Sequence, residues 1–210
     1  MKQLLIILSL CFLTISVKSQ SRNKNLYQSI AVYNTQNAFP FGKFNGLFKE
    51  IVHPGVEVAV GKKFSSRQHH DFFGELKAGY FFHRFVQHGI PVYLNIGYRY
   101  KTLQGLYAET SLGGGYLHSI PATEKFKLNN DGAYRNNKGI GRMQAMAAIT
   151  IGLGYTIHRA GLKPINIFSN YQQRLQLPFV KSYVPLLPYS SFIIGISRPF
   201  GKKNNTNLLK

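Results

Sequence analysis

The sequence predicts an all-β fold, an antiparallel eight-stranded transmembrane up-and-down β-barrel behind a cleaved N-terminal signal peptide. Three observations predict it. Residues 1–20 read as a secretory leader, the rest alternates apolar and polar side chains in runs of about ten residues, and no later apolar stretch approaches the roughly 20 residues that a membrane-spanning helix needs. The expected organisation is a signal peptide over 1–20, one barrel domain over 21–200, and a basic polar tail over 201–210.

In the leader, Lys2 supplies the positive start, Leu4 to Leu13 the apolar run, and Val17 with Ser19 the residues before cleavage. Cys11, the single cysteine, follows Leu10 where a lipoprotein carries a small residue, so no lipid anchor is expected. After cleavage the chain holds no thiol, and an oxidising compartment leaves it untouched.

Charge narrows the partners. The 26 Lys and Arg against 7 Asp and Glu give +19, which falls by Lys2 and Lys18 to +17 once the leader is gone. Such an excess points to nucleic acid or to an anionic surface. For an exported chain the polyanions at hand are lipid phosphates, lipopolysaccharide and wall polymers, so no nucleic-acid partner is expected. Part of the charge, as in 201–210, is simply solvated.

Eight strands are expected at about 26–34, 55–63, 72–85, 90–101, 105–119, 142–158, 165–177 and 190–199. In the fourth, Ile90, Val92, Leu94, Ile96 and Tyr98 share one face while Tyr93, Asn95, Gly97 and Arg99 share the other. In the sixth, Met143, Ala145, Ile149, Ile151 and Leu153 alternate with Gln144, Thr150, Gly152 and Gly154, and the small, polar face should point inward. The first and seventh are the weakest, because Gln28, Ser169 and Gln173 fall on lipid-facing sides. Closure requires both, since an open edge leaves backbone groups unsatisfied in hydrocarbon and single-chain bacterial barrels have even strand numbers.

Aromatic placement agrees. Phe72 and Phe82 on the third strand are ten residues apart. At about 3.3 Å per residue and a tilt near 40° they lie roughly 25 Å apart along the membrane normal, the height of an apolar band between two girdles. Tyr98, Tyr100 and Tyr155 join Phe72 at one girdle, and Phe82 with Tyr116 marks the other.

The links after the first, fifth and seventh strands are long and belong outside, whereas 101–105 and 159–164 are tight and belong in the periplasm with both termini. The short link 86–89 and the longer 64–71 break this alternation. Phe41, Phe44, Leu47, Phe48 and Ile51 recur near helical spacing, fitting either a short amphipathic helix at the membrane surface or plain loop packing. The polar, Asn-rich link 120–141 is expected to be mobile. The link from Pro178 to Pro188 is unusually apolar, with Phe179, Val180, Tyr183, Val184, Leu186 and Leu187, and suits either an envelope or extracellular partner or a cap on the barrel mouth. Gly113 to Gly115 should relieve crowding or bend a strand.

With Gly195 followed five residues later by the aromatic Phe200, the last strand resembles the assembly signal of exported bacterial barrels. The whole pattern resembles the small eight-stranded outer-membrane barrels of the OmpA and OmpX type. That resemblance implies outer-membrane localisation, contact with outer-membrane lipids and lipopolysaccharide, and passage through the barrel-assembly machinery. Arg198, where an apolar residue is usual, and the tail after Phe200 depart from it.

Inside such a barrel charges must pair. Glu75, Lys77, Arg99 and Glu109 fall on inward faces toward the periplasmic end, with Arg99 expected within reach of both Glu75 and Glu109. They read as an ion-pair plug, because an eight-stranded interior is only wide enough for side chains, and a narrow pore ranks below it.

His53, His83, His88 and His118 map to the extracellular rim, with Glu57 just below. Imidazoles can hold a metal or act as a general base, yet no pair has the regular spacing of a ligand motif, and neither metal nor cofactor is expected. The alternative function is a lipid A-modifying deacylase or acyltransferase, with His118, His83 and Glu57 as candidate catalytic groups and His53 and His88 as candidate binding groups. A deacylase of that kind sets its His and Ser two apart on one strand face. Here Ser119 directly follows His118, which sends the two to opposite faces. The expected role is therefore structural or binding, without catalysis.

Overall fold

The computed structural model describes residues 25–37, 46–124, 126–129, 131–136, 139–159, 162–179 and 185–200. The leader and the tail after Phe200 lie outside the described residues. The elements are β1 (Leu26–Asn37), the one-turn α1 (Gly46–Lys49), β2 (Pro54–Ser66), β3 (His70–His83), β4 (Gln87–Lys101), β5 (Leu106–Pro121), β6 (Phe126–Leu128), β7 (Tyr134–Asn136), β8 (Arg142–Ile157), β9 (Ile165–Leu177) and β10 (Leu187–Pro199). Eight of these strands close into one antiparallel barrel in the order β1-β10-β9-β8-β5-β4-β3-β2, and β6 with β7 forms a separate hairpin.

The weakest strands by sequence are full members. β1 pairs with β10 from Tyr27↔Pro199 to Asn37↔Tyr189 and with β2 from Leu26↔Lys62 to Asn34↔Pro54, which closes the ring. On β9 and β10 outward polar groups bond to one another. Gln173 Nε2 donates to Ser190 Oγ at 2.7 Å, and the Tyr171 hydroxyl lies 3.2 Å from the same oxygen. Polar residues on a lipid-facing wall are tolerated when each finds a partner there.

Alternation decides which side is which. Along β4, Tyr93, Asn95, Gly97 and Arg99 are buried, whereas Leu94 and Ile96 are 64% and 67% exposed. The same outward exposure recurs at Ile30, Val32, Val58, Leu76, Leu112, Ile151, Leu153, Ile194 and Ile196. Leaving one such side chain in water forfeits roughly 1.5–3 kcal/mol, so this wall would forfeit more than the 5–15 kcal/mol that holds a typical domain together. The wall faces hydrocarbon. Rings pack in tilted pairs where the band ends: Phe72 against Tyr98 at 5.1 Å on one side, Phe82 against His88 at 4.7 Å on the other.

One link differs from expectation. β2 runs on to Ser66, past a bulge between Lys63 and Ser65, and β3 starts at His70, so the link expected over 64–71 is a tight turn. The Arg67 amide closes it by donating to the His70 carbonyl at 2.8 Å. The Asn-rich link holds a hairpin, with Leu128 opposite Tyr134. Its turn contains Asp131 and Gly132, and Gly132 takes φ +76, the left-handed conformation that tight hairpins demand.

Candidate functional site

The lumen is filled by polar side chains in successive layers. At mid-height Lys77 bridges Glu57 at 3.1 Å and Glu75 at 3.3 Å, while the Tyr93 hydroxyl donates to Glu57 at 2.6 Å. Below, Arg99 grips Glu109 through Nε and Nη2 at 2.9 and 2.7 Å, and Asn170 donates to the other Glu109 oxygen at 2.8 Å. The Arg99 guanidinium also lies over the Tyr107 ring at 4.3 Å. At the tight-turn end Asp71 accepts from Lys63, Lys101 and Ser66, each at 2.7 Å. Arg99 and Glu109 meet as expected, but Glu75 is held by Lys77, by the Tyr27 hydroxyl at 3.0 Å and by Asn95 at 3.3 Å. Glu57, expected just under the rim, belongs to this network instead.

Sequence reasoning missed three parts. Asp71 falls in the link expected over 64–71, and its inward position follows from β3 beginning at His70. A glutamine layer closes the upper lumen: Gln87 donates to Gln176 at 2.6 Å and to the Tyr189 hydroxyl at 2.9 Å, and Gln176 donates to Gln144 at 2.6 Å. Between these layers sits Arg174, 1% exposed, bonded to Gln172 at 2.6 Å and surrounded by Tyr33, Phe81 and Tyr93 at 5.6–5.8 Å. Among the described residues it makes no ion pair; aromatic faces stabilise its charge instead. The inward alternation of β9 was the signal that could have located it.

At the long-loop end the four histidines separate. His53 and His83 stack with ring centroids 3.7 Å apart and planes 11° from parallel, and the His53 amide donates to Asn34 Oδ1 at 2.7 Å. Both rings are buried, and neither His53 nitrogen nor His83 Nδ1 has a hydrogen-bond partner among the described residues. Burial holds the His53 imidazole below its ordinary pKa, against the weaker pull of Glu50. The pair lines an open cleft of about 520 Å³ with Gln36, Lys49, Ile51 and Phe85. His88 and His118 point outward instead, bonded to the Tyr80 and Tyr116 hydroxyls at 2.7 and 2.8 Å. The barrel wall stands between the two sets. Ser119 faces inward, opposite in sense to His118. Among the described residues no three His, Cys, Asp or Glu are grouped to hold a metal.

Beside this cleft the first long link lies on the outer wall. Asn34 donates to the Leu47 carbonyl at 2.7 Å and Gln36 to the Ile51 carbonyl at 2.5 Å. Leu47 is buried, Phe48 meets Phe192 edge-on at 5.2 Å, and Phe48, Ile51 and Val52 expose most of their surface. Of the apolar link from Pro178 to Pro188, Val180, Tyr183 and Val184 lie outside the described residues. At its base Gln144 donates to the Pro178 carbonyl at 2.6 Å.

No protein-family model matches the chain, and no curated protein matches it. Among solved structures it is similar to the Neisserial surface protein A, at 8% identity and TM-score 0.48, covering 83% of this chain and 96% of that one. It is also similar to the N-terminal β-barrel domain of Pseudomonas aeruginosa OprF, at 15% identity and TM-score 0.43 over 83% and 97% of the two chains. The outer membrane enzyme PagL gives 10% identity and TM-score 0.45 over 83% and 99%. At these values the likeness concerns architecture alone.

Proposed function

We propose that this outer-membrane barrel has a structural and binding role in the cell envelope, without catalysis. The observation that carries the reading is the filled lumen: Gln87, Gln176, Arg174, Tyr93, Glu57, Lys77, Asn95 and Arg99 are all at most 5% exposed, leaving chemistry and contact to the two rims and the wall. In this reading the leader over 1–20 is cleaved, the barrel-assembly machinery inserts the strands, and the long loops face outward. There Phe48, Ile51 and Val52 enter the outer leaflet, with Lys49 and Arg84 beside lipopolysaccharide phosphates. The link between Pro178 and Pro188 is the contact offered to an envelope or extracellular partner.

The rival role is a lipid A-modifying deacylase or acyltransferase at the rim, with His118, His83 and Glu57 in catalytic roles and His53 and His88 in binding. The wall between His83 and His118, and the engagement of Glu57 by Lys77 and Tyr93, count against it. Mass spectrometry of lipid A from cells with and without the gene separates the two. An unchanged acyl pattern supports the binding role; a changed pattern that is lost on His118→Ala or His83→Ala overturns it.

A further inference from the structure

Two of the polar side chains on the outer wall are direct neighbours. Gln28 of β1 and Arg198 of β10 are directly paired in the β1–β10 register and both point outward. The row that holds them continues through Val60 and Leu76 to Leu94, and the row above it runs from Ile196 through Ile30 and Val58 to Ala78. Between these rows the exterior is concave. A groove of about 630 Å³ is lined by Ile30, Val58, Leu76, Ala78 and Ile196, with Gln28 and Arg198 at its foot. The short Ala78, between Leu76 and Tyr80 on the outward face of β3, deepens it.

Depth in the membrane follows from the register. Leu94 lies midway between the β4 girdle positions His88 and Tyr100. Moving from β4 to β10 along that row crosses four strand spacings of about 4.8 Å, each lowering the position by about 3 Å at a tilt near 40°. Arg198 therefore sits roughly 12 Å toward the tight-turn end, where a hydrocarbon band about 25 Å high gives way to headgroups. Its guanidinium is exposed and has no carboxylate partner among the described residues. A second cation stands beside it, because Lys163 Nζ reaches the Pro199 carbonyl at 3.4 Å. An unpaired guanidinium at that depth is matched by a phosphodiester, which its planar fork can grip through two oxygens.

We propose that the outer face of β10, β1, β2 and β3 holds one glycerophospholipid of the periplasmic leaflet, its phosphodiester on Arg198 and Gln28 and one acyl chain in the groove above. The site rests on the membrane reading of the wall and is independent of the role proposed for the loops. It also accounts for the two residues that make the first and last strands atypical of a lipid-facing wall.

Native mass spectrometry of the barrel refolded in lipid-free detergent tests it, with dioleoylphosphatidylglycerol as probe and dioleoylglycerol as the same chains without phosphate. One phosphatidylglycerol should be retained well above the diacylglycerol. Arg198→Gln should weaken it about tenfold, whereas Arg142→Gln at the opposite rim should leave it unchanged. Ala78→Phe, which fills the groove and keeps the arginine, should also release it, and this arm decides the matter if Arg198→Gln fails to give the heat-modifiable folded form on a gel. Equal retention of diacylglycerol, equal loss in Arg142→Gln, or retention in folded Ala78→Phe overturns the site. A barrel that refolds only without detergent would instead contradict the membrane reading beneath it.

Discussion

Arg99 and Glu109 show why the interior is polar yet stable. Each charge is nearly dry, so removing one partner strands the other, whereas replacing both with apolar groups of similar size removes the cost together with the attraction. Glu109→Ala should cost about 3–5 kcal/mol. Arg99→Met with Glu109→Met should cost less than the sum of the two single changes, as coupled neighbours do. Urea unfolding in lipid vesicles measures it through tyrosine emission, since the chain has no tryptophan. Additive losses would show that the pair does not couple.

The stacked His53 and His83 respond to acid at the same scale. With its pKa held down by burial, His53 binds fewer protons folded than free, so its contribution is complete above the ordinary imidazole range and is lost as pH falls below it. The groups facing it are His83 of β3 and Lys49 and Glu50 of the first long link; of these Glu50 favours its protonation, and burial outweighs that pull. Moving from pH 7.5 to 5 should therefore raise amide exchange over 50–53, and His53→Phe should flatten that dependence. Exchange insensitive to pH in the unaltered protein would contradict the burial argument. The sequence placed the four histidines at one end but could not tell inward from outward there. That distinction turns on strand parity, and the links gave no parity until the strand ends were fixed.

Elements were more legible than residues, because period two is imposed by the pleat and survives any error at the ends. β8 and β9 lie almost where alternation put them, and β1 proved four-sided in its partners: lipid, lumen, β2 and β10. What alternation could not show was how far strands overrun the membrane, as β2, β3 and β5 do in water, where no hydropathy contrast marks their ends. The triple glycine of β5 illustrates a local rule hidden in the sequence. A methyl at Gly115 would collide with the Val92 carbonyl and the Tyr93 backbone, whereas one at Gly114 meets only the Met146 carbonyl at 3.7 Å. Gly115 thus lets β5 pass close to the bulky Tyr93 of β4. Gly115→Ala should sharply lower the yield of folded barrel in a heat-shift gel assay, and Gly114→Ala should leave it within error. Equal yields would remove the crowding argument.

At the scale of the whole molecule, closure and filling together predict that the barrel does not conduct. The ring has no free edge, the Gln87–Gln176 contact crosses the lumen, and the Lys77–Glu57 and Arg99–Glu109 pairs of neighbouring strands project into it. Purified protein in a planar bilayer should stay electrically silent, and discrete conductance steps would demand a wider lumen than these side chains allow. The fold class was legible from the outset, since only closure reconciles eight alternating strands with a lipid-exposed wall. The contents of the lumen were legible only in part, because the hydrogen bonds that cross it, such as Gln87–Gln176 and Gln172–Tyr93, join residues far apart in sequence.

The account stands most directly on hydrocarbon bathing the outer wall. With the leader removed no native cysteine remains, so nitroxide labels can be attached one at a time at Ile90→Cys, Val92→Cys, Leu94→Cys, Ile96→Cys and Tyr98→Cys along the outward face of β4. In phospholipid vesicles, collision with molecular oxygen relative to a water-soluble nickel complex should rise to a maximum at Leu94 and fall toward both ends. A flat profile, with nickel reaching Leu94 as freely as Tyr98, would contradict a lipid-facing wall.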